Sequence, residues 1–305
     1  MRVLITGGTG LIGRAVAVDL HAAGYDVFVL TRDPSRTKPP TGVEVAGWDG
    51  LTATGWSKLL EGESAIIHLA GEGIADGRWS EERKRRLRSS RVDSGHAVVA
   101  GIRAAKTPPR VLLQSSAVGF YGPRGDEPLD ENEPAGVTFL ADVSREWEAS
   151  TLDVEALGVR RPLLRTGIVL AREGGALPKM ALPVRLGVGG SLGSGKQWFP
   201  WIHEADEVAA IRFLLERNDA QGAFNLTAPN PVTNAEFTRA LGRALHRPTL
   251  FRVPTFALRV AVGEMADSLL ASQRVVPKRL LEMGFRFRFE DVDAALAELF
   301  AKPEA

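Results

Sequence analysis

The 305-residue sequence predicts an α/β fold, a doubly wound parallel sheet with a smaller C-terminal substrate lobe. Three observations carry that expectation. Short β-branched apolar runs alternate with helical periodicity through the first 170 residues, the pattern of βα crossovers. The first run, Val3 to Ile5, enters a glycine-rich turn that opens a helix. Past residue 170 the alternation gives way to glycine-dense loops. The expected organisation is a dinucleotide-binding domain over 1–170, with 206–244 returning to it. A smaller substrate and C-terminal lobe is expected from 171–205 and 245–305.

Composition bounds the function. Apolar residues make up 44% and charged residues 25%, which suits a globular chain with a substantial core. The absence of cysteine excludes disulfides, thiolate metal sites and cysteine nucleophiles. A net charge of +1 argues against a nucleic-acid partner. No run of 18 apolar residues and no signal-like start occurs, so neither a membrane partner nor export is expected. The expected setting is cytoplasmic, with a small-molecule substrate and a monomeric or homodimeric chain.

Taken in order, the first strand leads into Thr6-Gly7-Gly8-Thr9-Gly10-Leu11-Ile12-Gly13, and helical spacing then runs to Gly24. Gly7 permits the tight turn, Gly10 lets the backbone approach a pyrophosphate, and Gly13 lets the helix pack close to the sheet. The N–H groups of Leu11 and Ile12 open the helix toward the anion. A second strand, Asp26 to Leu30, ends in Thr31-Arg32-Asp33. An NAD site usually places an acid there for the ribose 2′-OH. Thr31 holds that position here, and the Arg32 guanidinium suits a 2′-phosphate. NADP(H) is therefore expected over NAD(H), with Asp33 the one residue able to reverse that preference.

A short strand is expected at Gly42 to Ala46 and a helix over 52–60. The strand from Ser64 runs into His68-Leu69-Ala70-Gly71, whose last three residues would line the adenosine and ribose. His68 reads as a hydrogen-bonded structural histidine. Arg78 to Arg91 carries seven positive and two negative charges behind Ser80, a plausible N-cap. It reads as a solvated helix face, a nucleic-acid patch being the alternative. Arg91, deeper in the segment, is placed to meet a cofactor phosphate.

From Arg110 a strand ends in Ser115-Ser116-Ala117-Val118-Gly119-Phe120-Tyr121-Gly122. With the opening glycine turn, this resembles the extended short-chain dehydrogenase/reductase superfamily. Further segments narrow the likeness: Leu69-Ala70-Gly71-Glu72, Arg78-Trp79, Leu164-Arg165-Thr166-Gly167, Gly187 to Gly195 and Trp198-Phe199-Pro200-Trp201-Ile202-His203. They resemble its atypical, epimerase-like branch, often labelled nucleoside-diphosphate-sugar epimerases. A C-terminal module of unknown function would occupy about 248–298, with Ser272-Gln273-Arg274-Val275-Val276-Pro277-Lys278-Arg279.

The resemblance implies a Rossmann-type domain and a catalytic Ser/Thr, Tyr and Lys, the lysine four residues after the tyrosine. This chain departs from it. Its two tyrosines, Tyr25 and Tyr121, are followed four residues on by Val29 and Gly125. Where the tyrosine helix should begin, the chain reads Phe139-Leu140-Ala141-Asp142-Val143-Ser144-Arg145-Glu146-Trp147-Glu148. Arg145 is the nearest basic residue there, and arginine lacks lysine's tunable proton chemistry. Ser116 best matches the superfamily serine, and Tyr121 is the substitute phenol. Ser115 is expected at the cofactor, or serves the turn. Val169, at the exit of the strand from Val159, matches the position where the superfamily chain passes the nicotinamide.

Beyond the sheet, Trp198, Trp201 and His203 are candidates to floor a substrate cleft, a satellite core being the alternative. No metal is expected, because His203 and its neighbouring acids lack a second ligand cluster. Asp206 reads as a helix cap. The leading expectation is an NADP(H)-binding oxidoreductase or epimerase-like protein acting on a hydroxyl or carbonyl of a small polar substrate, a nucleotide-linked sugar being one candidate. The alternative is a catalytically lapsed NADP(H)-binding regulatory protein.

Overall fold

The computed structural model describes residues 1–301. Its strands β1 (Arg2–Thr6), β2 (Asp26–Thr31), β3 (Glu44–Gly47), β4 (Ser64–His68) and β5 (Val111–Ala117) join strands Pro162–Thr166 and Gly222–Leu226 in one seven-stranded sheet. Every pairing within it is parallel. Across the sheet the order is Gly222–Leu226, Pro162–Thr166, β5, β4, β1, β2, β3. The chain thus winds outward from β1 to β3, then restarts on the other side of β1 at β4. That switch point falls at Thr6 and His68, which are register partners, and folds of this topology bind their ligands beyond the strand ends there.

The helices are α1 (Leu11–Ala22), α2 (Glu81–Ala104), α3 (Phe139–Ser150), α4 (Leu177–Arg185), α5 (Glu204–Glu216), α6 (Asn234–Ala244), α7 (Thr255–Val262), α8 (Met265–Leu269), α9 (Lys278–Glu282) and α10 (Val292–Phe300). Both faces of the sheet are covered, which explains why β1 and β4 are apolar without alternation. Val16 and Leu20 of α1 and Ile211 and Leu214 of α5 cover Ile5, Ile67 and Leu113. Val98 and Ile102 of α2, with Trp56, cover Leu4, Ile66 and Leu112 on the other face. A second cluster gathers Leu177, Ala181, Phe237, Leu241 and Leu296 from α4, α6 and α10, with Trp201 of the strand Trp201–His203 and Phe289 just before α10. No helix among the described residues is long and apolar enough to cross a membrane.

Three local expectations change. Residues 52–60 form only a one-turn 3₁₀ segment, Ser57–Leu60, because three glycines at 50, 55 and 62 adopt positive φ around it. The strand expected over 159–169 breaks at Gly167, and Ile168–Leu170 leaves the sheet to pair with Trp201–His203. A Cβ on Gly167 would lie 2.7 Å from Pro200 O, so only glycine allows that crossing. Helix α6, expected to return with 206–244 to the first lobe, packs instead in the second cluster. Its amphipathic face is satisfied there by α10 and α4, and the return to the sheet ends with Gly222–Leu226.

Candidate functional site

At the C-terminal end of β1 the four glycines play unequal parts. Gly7 turns with φ +68°, and a Cβ on it would lie 2.7 Å from Leu69 O. A Cβ on Gly13 would lie 2.4 Å from Gly7 O, and one on Gly8 2.6 Å from a Val29 methyl. These three are closed by protein. Gly10 is different: its Cβ would meet only Gly7 O, at 3.3 Å, and otherwise face open space. Gly10 is also the N-cap of α1, without a side-chain cap and with no acid in the first turn. Capping normally satisfies such orphan N–H groups. Here the donors of Leu11 and Ile12 and the positive end of the helix are offered to whatever enters. A diphosphate fits this cradle.

Beside it lies a groove of about 390 Å³ lined by Gly8, Thr9, Arg14, Arg36, Thr37 and Lys38, among others. Its three cations outnumber the one acid on the same lining, Asp33, so the groove is net basic and suits an anionic group. Arg14, Arg36 and Lys38 were not singled out by the sequence reading. Arg36 and Lys38 follow closely on Arg32, whereas Arg14 comes from the first turn of α1. Thr31 is half-buried, with Oγ1 3.1 Å from Thr37 Oγ1, and Arg32 is exposed just past β2. Asp33 is occupied: it accepts from Ser35 Oγ at 2.6 Å and Arg36 N at 3.2 Å, and pairs with the Arg36 guanidinium. It forms the loop rather than a ribose acceptor.

Across the switch point, Thr6 Oγ1 accepts from the N–H groups of Leu69 (3.1 Å) and Ala70 (3.2 Å). The same oxygen lies 2.7 Å from His68 Nδ1, and Ser94 Oγ lies 3.4 Å from His68 Nε2. Burial holds the His68 pKa down to about 3, so the ring is neutral and structural. Thr6 therefore fixes the Leu69-Ala70-Gly71 turn, a role the sequence reading missed although a polar residue ended an apolar strand. Arg91 lies against Gly71 and over the Trp147 ring at 5.0 Å. Its N–H donates to Leu87 O, and burial lowers its pKa to about 10, which leaves it charged at neutral pH. Leu11 and Val169 both border the Gly174-Gly175 turn: a Cβ on Gly175 would fall 2.9 Å from Leu11 Cδ2 and 3.8 Å from Val169 O. Ser115 is half-buried near the end of β5.

The catalytic candidates require correction. Ser116 is buried and donates to Glu148 Oε1 at 2.6 Å. Glu148 takes a two-point ion pair from Arg165, at 2.9 and 3.1 Å. Arg165 also donates to the Tyr121 hydroxyl at 3.1 Å, and that hydroxyl donates to Asn225 Oδ1 at 2.6 Å. Tyr121 has no exposed surface, and burial pushes its pKa up to about 12. Serine and phenol are thus members of one satisfied interior network, not groups presented to a cleft. Sequence reasoning failed here because Glu148, Arg165 and Asn225 are brought together only by folding.

Trp201 and His203 are corrected likewise. Trp201 is buried in the second cluster. His203 caps α5 through Ala205 N at 3.0 Å and stacks on Phe289 at 3.9 Å. Trp198, half-buried, donates to Asp126 and carries Arg274 over its ring. Trp201 and His203 therefore belong to a satellite core, and Trp198 stands half-buried outside it. Asp206 is not the cap: its buried carboxylate accepts from the N–H groups of Arg288 and Phe289 and ties the C-terminal segment to α5. Ser80 does cap α2, through Arg83 N. Four cations of the stretch behind it, Arg83, Lys84, Arg86 and Arg88, pair with acids.

A second hollow, about 260 Å³, lies beyond β5 between Trp79, Gly119, Phe139, Leu140, Glu264 and Asp267. Trp79 and Phe139 meet edge to face at 5.4 Å. Leu140 and Gly119 touch here, at the start of the helix where the superfamily carries its tyrosine. Among the described residues no group of three histidines or acids is placed to hold a metal ion.

A doubly wound parallel sheet with an open, uncapped glycine cradle at its switch point defines a dinucleotide-binding protein of the extended short-chain dehydrogenase/reductase type. The NAD dependent epimerase/dehydratase family model matches residues 3–144, and a C-terminal domain of unknown function (DUF1731) matches 253–299. The chain is 38% identical to the epimerase family protein SDR39U1 of Mus musculus over 305 residues, covering 99% of this chain and all of that one. It is 39% identical to an epimerase family protein of Mycobacterium tuberculosis, over 99% and 98% of the two chains. The crystal structure of human SDR39U1 with NADPH superposes with a TM-score of 0.89 at 36% identity, over 98% and 99% of the chains. The chain belongs to this epimerase family.

Proposed function

We propose that the protein binds NADP(H) and serves as an epimerase-family oxidoreductase for a small polar substrate of the nucleotide-linked kind. The observation that carries the reading is the uncapped start of α1 at Gly10, open on one side, beside a groove lined by Arg14, Arg36 and Lys38. The diphosphate would rest on the N–H groups of Leu11 and Ile12. The 2′-phosphate would meet Arg32 and the groove's cations. The engagement of Asp33 within its own loop supports NADP(H) over NAD(H). The human relative's NADPH agrees with this choice.

Leu69, Ala70, Gly71 and Arg91 would border the ribose and phosphates, with Ser115 and Val169 toward the nicotinamide end. When bound, the cofactor supplies hydride transfer. The chain's own residues then position the substrate between Trp79, Phe139 and Leu140 and keep water off the apolar wall. Tyrosine-type proton transfer is not offered, because α3 opens with Phe139 and Leu140 and Tyr121 is sealed. That sealing favours a second reading, an NADP(H)-responsive regulatory protein.

Calorimetric titration with NADPH and NADH tests the cofactor. Arg32→Ala should cost roughly 1–3 kcal/mol of NADPH affinity, the scale of a hydrogen bond between charged groups, and leave NADH binding nearly unchanged. Equal losses for the two cofactors would remove the 2′-phosphate assignment. Mass spectrometry of ligand carried through purification, followed by a turnover assay, separates the enzyme from the regulator.

A further inference from the structure

Half of the fourteen large apolar side chains exposed among the described residues fall in two short segments, 174–196 and 247–263. Leu182, Leu186 and Val188 project from and just beyond α4, at 56, 69 and 59% exposure. Leu250 and Phe251 precede α7, and Phe256 and Val260 stand one turn apart on it. The segments lie side by side, because Gly190–Leu192 pairs in parallel with Phe251–Val253.

Their charge is as uneven as their exposure. The chain as a whole balances 38 cations against 37 acids. These segments hold Lys179, Arg185, Lys196, Arg247, Arg252 and Arg259, all exposed, and no acid, although Glu173 and Glu264 bound them. Glu264 is held by Lys84, Asp267 takes Arg259, and Asp76 lies 3.8 Å from Lys179. Arg185, Lys196, Arg247 and Arg252 have no carboxylate partner among the described residues.

We propose that this face docks on an anionic membrane surface. Exposed apolar side chains interspersed with arginine and lysine are what the boundary between headgroups and acyl chains recognises. A second copy fits less well: a two-fold contact places the same patch against itself, cation facing cation. A nucleic acid would meet the cations but gain little from exposed leucine and valine. The sequence expectation of no membrane partner rested on the lack of a spanning segment, and a docking face needs none.

Co-sedimentation of the full-length protein with vesicles tests this, comparing phosphatidylcholine alone with an equimolar mixture of phosphatidylcholine and phosphatidylglycerol. The protein should bind the mixed vesicles, release in high salt, and bind neutral vesicles weakly. The pair Phe256→Ser with Val260→Ser, and separately Arg185→Glu with Arg252→Glu, should each lower bound protein by about tenfold. Val137→Ser, at the most exposed apolar position, should change nothing. NADPH titration of each variant checks that it has folded. Failure to bind mixed vesicles, equal binding to both vesicle types, or insensitivity to both double variants overturns the proposal. So does sedimentation velocity showing a dimer that the same variants dissolve, or a duplex-DNA gel shift unaffected by the Phe256 and Val260 changes.

Discussion

The turn after β1 and the network above β5 stand at the same edge of the sheet, yet they manage polar groups in opposite ways. At Gly10 the first donors of α1 have no side-chain cap, and a Cβ there would face open space beyond Gly7 O. At Ser116 and Tyr121 every hydroxyl is paired, with the Glu148–Arg165 ion pair at the centre. Unspent hydrogen-bonding capacity marks a place that awaits a ligand. Spent capacity marks a place that holds the fold. The two catalytic candidates were chosen by residue type, and only partner geometry shows to which class they belong.

The largest effect should come from opening the closed region. Arg165→Ala leaves Glu148 buried with Ser116 as its remaining side-chain partner, and an uncompensated buried carboxylate costs about 3–5 kcal/mol. Urea denaturation should show that loss, while the folded protein keeps its NADPH affinity. A small change in stability would mean that the network is solvated and that the contrast drawn above is wrong.

Glu207 cuts across the comparison. It is wholly buried on α5, accepts from Thr166 Oγ1 at 2.9 Å, and leaves its other oxygen unpartnered. Desolvation raises its pKa to about 8. Because the folded pKa lies above the unfolded one, ionisation favours the unfolded chain. The penalty is absent below the unfolded value of 4.5, grows as pH rises, and is complete above about 8. Glu207→Gln should remove that slope and leave the variant, relative to wild type, on the order of a few kcal/mol more stable at pH 9 than at pH 4. Parallel stability curves for the two proteins would show that water reaches the carboxylate.

The open region should respond in binding rather than stability. Gly10→Val fills the cradle and should weaken NADPH by about a hundredfold, roughly 2.7 kcal/mol, with little change in the urea midpoint. Gly13→Ala, whose Cβ would strike Gly7 O, should instead destabilise the fold. If Gly10→Val binds normally, the dinucleotide lies elsewhere.

Much of this division was legible beforehand. The glycine turn, the strands β1, β2 and β4, and the Thr31-Arg32 ending follow from local rules in which spacing and residue type decide conformation. The Leu69–Gly71 turn was legible as a position, although its clamp by Thr6 was not. What stayed hidden depends on long-range partners. Arg165 meets Glu148 from 17 residues away, and Tyr121 meets Asn225 from 104. Trp201 and His203 carry a motif suited equally to a cleft or a core. Only the arrival of Phe289 and Glu298, near the end of the chain, settles their packing.

The smallest effect should come from the phenol that residue type alone offered as a substitute proton donor. Tyr121→Phe deletes one hydroxyl from the closed network. Arg165 keeps its donation to Glu131 O and its pair with Glu148, so no charge is stranded. Asn225 keeps its amide bonds to Leu129 O and Val276 O but loses the donor to its Oδ1. Two buried hydrogen bonds go, but only Asn225 Oδ1 is left unpaired, so stability should fall by about 1–2 kcal/mol. NADPH affinity should not move. Turnover on any substrate that is found should also stay near wild type, because a phenol with no exposed surface and a pKa near 12 neither reaches a carbonyl nor releases a proton at neutral pH. A large drop in kcat with KM and stability unchanged would show that Tyr121 swings out of the network during the reaction. The closed region would then be a resting state of the catalytic one.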